Sequence, residues 1–415
     1  MPRVIQVFEY ETLTTTDASE KRRLDTKELD ALDKLNDNSG GKYFTPTRNG
    51  VKFCSYVGVI QVGGTTIEIL PKIDRETDED YNCWQKVLLK MLAVCNHIKV
   101  ESVSDASLKR RYNSLLDIYF NIYLDEVAKL LHRGLVKRYR KEASNVSALK
   151  GRICFGKHIQ QNLIHKERFY TEHQVYDQEH LLNQILLCGI RVLSRVSCNP
   201  FIKDKINRLL LDFPDIAEKV ITEKHFEQVR LNRKTKPYEE ALKIAKMIIL
   251  NYSPNIENGS EGMIALLFDM NKLWEEYVFR MLKREERNGV EILPQQQQKF
   301  WNSKVIRPDI VIKKEGKIFI IDTKWKIVDP GNPSDANLKQ MYAYNMYWDA
   351  PMSMLLYPSV NEEKEVSGMY HKGRVGENRC KMGFVNVLDK DRTLNMAIGR
   401  QILDKLRVEE VLDKN

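Results

Sequence analysis

Three charged residues could do chemistry together: Asp309, Asp322 and Lys324, in the string Pro308-Asp309, twelve residues, Asp322-Thr323-Lys324. The stretch around them, 305–326, reads VIRPDIVIKKEGKIFIIDTKWK. Two apolar-rich runs flank Lys-Lys-Glu-Gly-Lys, the signal of a β-hairpin with a short Gly-containing loop. A turn centred on Glu315-Gly316 places Asp309 opposite Asp322, with Cα atoms roughly 4.5–5.5 Å apart. Lys324 follows Asp322 by two and shares its face. Val311, Ile318 and Ile320 fill the rest of that face, while Ile310, Ile312, Phe319 and Ile321 take the other. Apolar residues on both faces predict a central strand pair rather than a surface hairpin. Two carboxylates and an ammonium on such a face are costly to bury unpaired, and a divalent cation between the carboxylates resolves that cost. The two acids and the main-chain carbonyl of Thr323 can hold Mg2+. A lysine beside them can orient a water and neutralise charge developing at a phosphate, which is the chemistry of phosphodiester hydrolysis.

Other chemistries find no support. Neither GxxxxGK(S/T) nor GxGxxG occurs, so the chain itself is expected to bind no nucleotide. GxSxG and HExxH are also absent. The seven cysteines are scattered with no CxxC pair, which predicts neither a zinc knuckle nor a disulfide framework and fits a reducing cytoplasm. The eight histidines show no metal-ligand spacing. A net charge of +9 is compatible with a polyanionic partner without specifying one. At 42% hydrophobic and 30% charged, the 415 residues are expected to be globular and soluble. No apolar run approaches the roughly 20 residues that span a bilayer, and MPRVIQVFEYETL lacks a signal-peptide layout.

The elements needed to position the hairpin read as an α+β, multidomain chain. Residues 1–75 form a β-rich N-terminal module: VIQVFEYETL, KYFTPT, VKFCSYVGVIQV and TTIEILPKI are strand-like runs punctuated by Asn49-Gly50 and Gly63-Gly64, with a polar loop at Asp37–Gly41. Residues 76–253 are expected to be mostly helical, beginning with amphipathic helices over about Asp78–His97 and Ser107–Arg133. Basic tracts follow at Arg133–Lys141, readable as a solvated helix end or as a phosphate- or partner-facing surface, and at Arg230–Lys236. Asn255–Ser260 reads as a linker. Residues 261–415 read as one domain. An amphipathic helix over Ile264–Arg284 ends at Asn288-Gly289, then come the strand VEILP and the hairpin. Pro330–Pro333 leads into a helix capped by Ser334 or Asp335, followed by the buried strand MSMLLYP, which gives the order αβββαβ. Two more strands within 366–388, around Gly373–Asn378, and a helix over Leu394–Val408 complete it.

With that order around it, PD…DTK resembles the PD-(D/E)xK nuclease superfamily, and within it the McrC family, the nuclease subunit of McrBC-type methyl-directed restriction systems. The resemblance covers most of the chain. FEYETL (8–13) and YVGVIQVGGTTIEILPKI (56–73) are similar to the family's N-terminal module, and LKGRI (149–153) and DQEHLLNQIL (177–186) to its central helices. FDMNKLWEEYV (268–278), RPDIVI…DTKWK and SDANLKQMYAY (334–344) are similar to its nuclease core, the last also to the QxxxY element of RecB-like nucleases. The resemblance implies a restriction-endonuclease-like αβββαβ core and Mg2+ as cofactor, with Mn2+ able to substitute. Asp309, Asp322, Glu275 and the Thr323 carbonyl would be the metal shell, Lys324 the catalytic lysine, and Gln340 and Tyr344 a lining of the site or the DNA path. Glu275 is chosen over Glu276 on the family's Leu-aromatic-Glu-x-aromatic-Val pattern, since helical spacing does not separate them. The resemblance further implies a McrB-like AAA+ GTPase ring that recognises modified double-stranded DNA, is stimulated by this chain's N-terminal part and licenses cutting. The hairpin tip within Thr45–Val51 is one candidate contact to that ring. Double-strand cutting would take two nuclease sites, hence dimerisation. A stand-alone RecB-like nuclease and a non-catalytic DNA-binding or ring-capping adaptor are the alternatives.

Overall fold

The computed structural model describes residues 3–73, 80–97, 114–253, 263–287, 289–328, 332–360, 365–370 and 378–412. The expected linker Asn255–Ser260, Asn288, Pro330 and most of the turn at Gly373–Asn378 lie outside these residues. The chain divides into two compact units, one of residues 60–65 and 104–266, the other of residues 3–59, 66–103 and 267–415.

The second unit carries the hairpin. Its C-terminal core runs α1 (Met270–Arg284), β1 (Val290–Pro294), β2 (Ile310–Lys314), β3 (Lys317–Thr323), α2 (Asp335–Tyr347), β4 (Met352–Ser359), β5 (Val366–Met369), β6 (Arg379–Asn386) and α3 (Ile398–Leu412). The six strands form one sheet in the order β1-β2-β3-β4-β6-β5. Strands β1, β2 and β3 are antiparallel neighbours, β4 runs parallel to β3 and β6 parallel to β4, and β5 returns antiparallel. A separate two-stranded hairpin, Gln298–Trp301 with Lys304–Ile306, interrupts the passage from β1 to β2.

The expected register holds: Ile310 faces Ile321, Val311 faces Ile320 and Ile312 faces Phe319. The turn is Glu315-Gly316, both at positive φ (49° and 79°), the geometry of a two-residue type I′ turn. Both faces are covered. Val311 and Ile320 pack with Met341 and Tyr344 of α2 and with Leu355 and Tyr357 of β4. On the opposite face Ile312 and Phe319 meet Leu403 and Leu406 of α3. Helix α3 also lies tight against α1, where a Cβ at Gly399 would sit 2.3 Å from the Met281 carbonyl oxygen.

The N-terminal strands belong to the same unit except for residues 60–65, which fall in the other. Arg3–Phe8, Thr65–Leu70 and Tyr56–Val62 are successive neighbours in a sheet, and Thr12–Thr14, Gly50–Phe53 and Phe44–Thr47 form a second, three-stranded one. The tip at Arg48-Asn49 joins the last two, with Asn49 at φ 64°. The β-rich reading of residues 1–75 needs one correction, a helix over Thr26–Asn38. Its start is fixed by Asp25, whose N–H donates to the Glu28 carboxylate, and by burial of Leu32. The Asp25-x-x-Glu28 spacing is a capping-box signal.

The helix expected over Ile264–Arg284 also needs correcting. Met263–Asp269 is a strand and the helix begins at Met270. Met263, Ile264, Ala265 and Leu266 are buried in succession, as a two-sided strand requires. Asp269 then caps the helix through the Asn271 N–H.

The first unit has helices Leu115–Arg133, Leu181–Val196, Pro200–Asp212 and Glu239–Leu250 as its main body. It also contains a sheet the mostly helical expectation missed, Arg138–Val146, Phe169–Asp177 and Arg152–Ile153. Arg138, Arg140 and Lys141 of the first basic tract therefore lie on a strand, not a helix end, and Arg140 pairs with Asp177 and Glu142. No described helix is long and apolar enough to cross a membrane, and the seven cysteines are free.

Candidate active site

The hairpin brings Asp309, Asp322 and Lys324 to one end of the strand pair. Asp309 stands just before β2, and its carbonyl accepts from the Gln295 N–H at 2.9 Å. Its carboxylate oxygen Oδ2 accepts from the Thr323 N–H at 2.7 Å and from the Thr323 hydroxyl at 2.9 Å. Thr323 closes β3, and the Lys324 N–H then donates to the Leu356 carbonyl of β4 at 2.9 Å. The parallel strand thus fixes the backbone on which Asp322 and Lys324 stand. The Asp322 side chain is 2% exposed, and Lys324 Nζ lies 2.5 Å from its Oδ2.

The electrostatics are those of crowded, buried acids. Burial, then the charge of Asp309, pushes the Asp322 carboxyl up to about 6, against the pull of Lys324. Burial also raises Asp309, opposed by its bonds from Thr323. Glu275 on α1 is raised by burial and then by the charge of Asp309, with Asp322 adding to it. Glu275 therefore shares the negative potential of the pair. Glu276 points elsewhere, with His97 at 3.1 Å and a two-bond link to Arg280 at 2.8 and 2.9 Å. The structure thus separates two acids that helical spacing does not. Glu275 accepts from Gln295 Nε2 at 2.6 Å, and among the described residues no three His, Cys, Asp or Glu side chains form a ready metal-holding cluster.

Gln340 and Tyr344, one turn apart on α2, reach the same end of the sheet. Gln340 Nε2 donates to the Tyr344 oxygen at 2.8 Å and lies 3.4 Å from Asp322 Oδ1. The Tyr344 hydroxyl donates to the Arg307 carbonyl at 2.9 Å. Burial pushes that hydroxyl up to about 12, so it remains a donor at neutral pH. Helix α2 thereby ties the segment entering Asp309 to the carboxylate of Asp322. Ser334 is the cap of this helix, accepting from the Asn337 N–H.

Sequence reasoning missed what stands behind Lys324. Trp325 is buried, and its indole N–H donates to Glu9 Oε1 at 2.6 Å. The same oxygen accepts from the Lys72 N–H at 3.0 Å. The Trp325 ring lies 5.4 Å from that of Trp274, the neighbour of Glu275. Burial raises the Glu9 carboxyl to about 7. The signal available in the sequence was an acid inside the strand-like run VIQVFEYETL, where only a partnered one is tolerated.

Comparison with known proteins agrees with this architecture. Residues 51–358, well over half of the chain, match the family model described as "McrBC 5-methylcytosine restriction system component". The chain is 23% identical over 235 residues to the type IV methyl-directed restriction enzyme EcoKMcrBC of Escherichia coli strain K12; the match spans 51% of this chain and 65% of that relative. Among solved structures, it resembles a chain of the half-complex from the tetradecameric assembly of Thermococcus gammatolerans McrB AAA+ hexamers with bound McrC. The TM-score is 0.69 at 19% identity, covering 97% of this chain and 100% of that one. A chain of the Thermococcus gammatolerans McrBC complex matches with a TM-score of 0.50 at 21% identity, over 68% and 87%. The fold is thus shared along nearly the whole length, and the chain belongs to the family of McrBC 5-methylcytosine restriction system components.

Proposed function

We propose that this chain is the nuclease subunit of a McrBC-like modification-dependent restriction system, hydrolysing DNA phosphodiesters in a PD-(D/E)xK-type core. The observation that carries the reading is the meeting of Asp309, Asp322 and Lys324 at one end of a buried strand pair. A buried carboxylate raised by the charge of its neighbour is a site that a cation would relieve. Mg2+ is commonly held by one or two carboxylates, with water and substrate phosphate completing its shell, so a ready three-acid cluster is not required. Asp309, Asp322 and the Thr323 carbonyl would hold the ion, with Glu275 at the edge of the shell. When bound, the ion supplies charge neutralisation at the phosphate and activation of the attacking water. Lys324, held in place by Asp322, orients that water and offsets charge on the phosphoryl oxygens as the bond to phosphorus forms and the bond to the leaving oxygen breaks. Gln340 and Tyr344 hold the Arg307–Asp309 approach in register with Asp322. The part spanning residues 1–75 serves as the docking module for a McrB-like AAA+ GTPase, whose hydrolysis it stimulates and which supplies recognition of methylated DNA. The relatives described as McrBC assemblies support that partner.

The test combines the purified chain, a McrB-like GTPase, methylated duplex DNA, Mg2+ and GTP. Cutting is expected only with all components present, and EDTA should abolish it. Full cutting without the GTPase would favour a stand-alone nuclease, and no cutting under any condition would favour a non-catalytic adaptor.

A further inference from the structure

The hairpin Gln298–Trp301/Lys304–Ile306 lies outside the sheet and is not used by the chemistry above. Its surface is unusual for a short exposed ribbon: Phe300 is 49% exposed, Trp301 66% and Val305 51%. The ten residues 298–307, QKFWNSKVIR, contain three cations and no acid. The ribbon is held at its root through Arg307 and along its first strand through Phe300, while Trp301 beside the turn is exposed. The Phe300 ring packs 5.6 Å from that of Tyr347, the Tyr347 hydroxyl donates to the Phe300 carbonyl at 3.4 Å, and Tyr344 holds the Arg307 carbonyl. A register shift between Lys299 and Trp301 re-aims the side chains at the tip. The turn passes through Asn302 at φ 48°.

From these features we infer that the hairpin is a DNA-gripping element, in which Trp301 packs against base edges in the groove while Lys299, Lys304 and Arg307 contact phosphates flanking the one to be cut. The inference rests on the nuclease reading of the adjoining site. A two-stranded ribbon is narrow enough to enter the major groove, where the thymine methyl offers an apolar contact. Lys304 is five residues from Asp309, at most about 18 Å of chain, so its contact falls within about five base pairs of the cut at 3.4 Å per step. An exposed aromatic ribbon could also dock a protein, but wholly cationic flanks beside a site for a polyanion favour the nucleic acid.

The experiment measures binding of the full chain to a fluorescein-labelled 30-base-pair duplex in Ca2+, across a salt series, alongside Mg2+-dependent cutting in the complete system. Trp301→Ala is expected to weaken binding about tenfold, the loss of a buried apolar side chain at the interface. The double variant Lys299→Gln/Lys304→Gln should flatten the log-log salt dependence by about two. Lys324→Ala should lose cutting in the complete system, so failure of the hairpin shows in binding and failure of the site shows in cutting. Unchanged affinity and salt slope in the hairpin variants would overturn the inference. So would loss of GTPase association, measured by light scattering, with duplex affinity intact, since that would make the ribbon a protein interface.

Discussion

Asp322→Asn and Lys324→Ala should each lower DNA cutting by about a thousandfold or more while the variant remains folded and still stimulates its GTPase partner. The size follows from what each loses. Removing a group that carries charge stabilisation or positions a proton in transit typically costs about 10^2 to 10^4 in rate. Asp322→Asn is nearly isosteric and removes a buried charge already pushed up to about 6, so it should not cost fold stability. Lys324 is about one-quarter exposed, so its truncation leaves a partly wetted gap rather than a core cavity. Cutting is read on gels and GTP hydrolysis by phosphate release. A variant that cuts normally would dissociate Lys324 and Asp322 from the chemistry. A folded variant that loses both activities would argue against separate cutting and activating parts.

The second large effect is expected at the Glu9–Trp325 contact. Trp325→Ala removes a buried indole packed on Trp274 and should cost about 3–5 kcal/mol of stability. It also releases the backbone on which Lys324 stands, so cutting should fall even in the folded fraction. Glu9 gives the contact a pH dependence. Its carboxyl is raised from 4.5 to about 7 in the folded chain. Between those values the unfolded chain has lost the proton that the folded chain retains. Stability is therefore fully present below pH 4.5 and falls as pH rises toward 7, by about 3 kcal/mol in all. Its other oxygen, Oε2, has no hydrogen-bond partner among the described residues, which is why ionisation there is costly. Glu9→Gln keeps an acceptor for the indole and removes the titration. The wild type should lose its advantage over this variant between urea melts at pH 4.5 and pH 8; a constant difference would refute the linkage.

The hairpin was legible because its cues agree. Glu315-Gly316 fixes the turn, strict alternation fixes the faces, and together they align Asp309 with Asp322 before any fold is known. Other features depend on partners distant in sequence. Glu275 and Glu276 flank the same buried stripe, and only Gln295 on one side and His97 with Arg280 on the other distinguish them. The bond from Trp325 to Glu9 spans more than three hundred residues and leaves no local periodicity. At Met263–Asp269 an unbroken apolar run fits strand or helix equally well, and sheet pairing decided it. The Thr26–Asn38 helix is different: its Asp25-x-x-Glu28 capping signal is local and stands in the sequence, within strand-rich surroundings.

The most direct measurement of the central claim is anomalous diffraction from crystals of the chain soaked in Mn2+. The account predicts a peak bounded by Asp309, Asp322 and the Thr323 carbonyl, absent in Asp322→Asn crystals. A well-ordered site with no peak between the two aspartates, in crystals of a chain that cuts DNA with Mn2+, would contradict it.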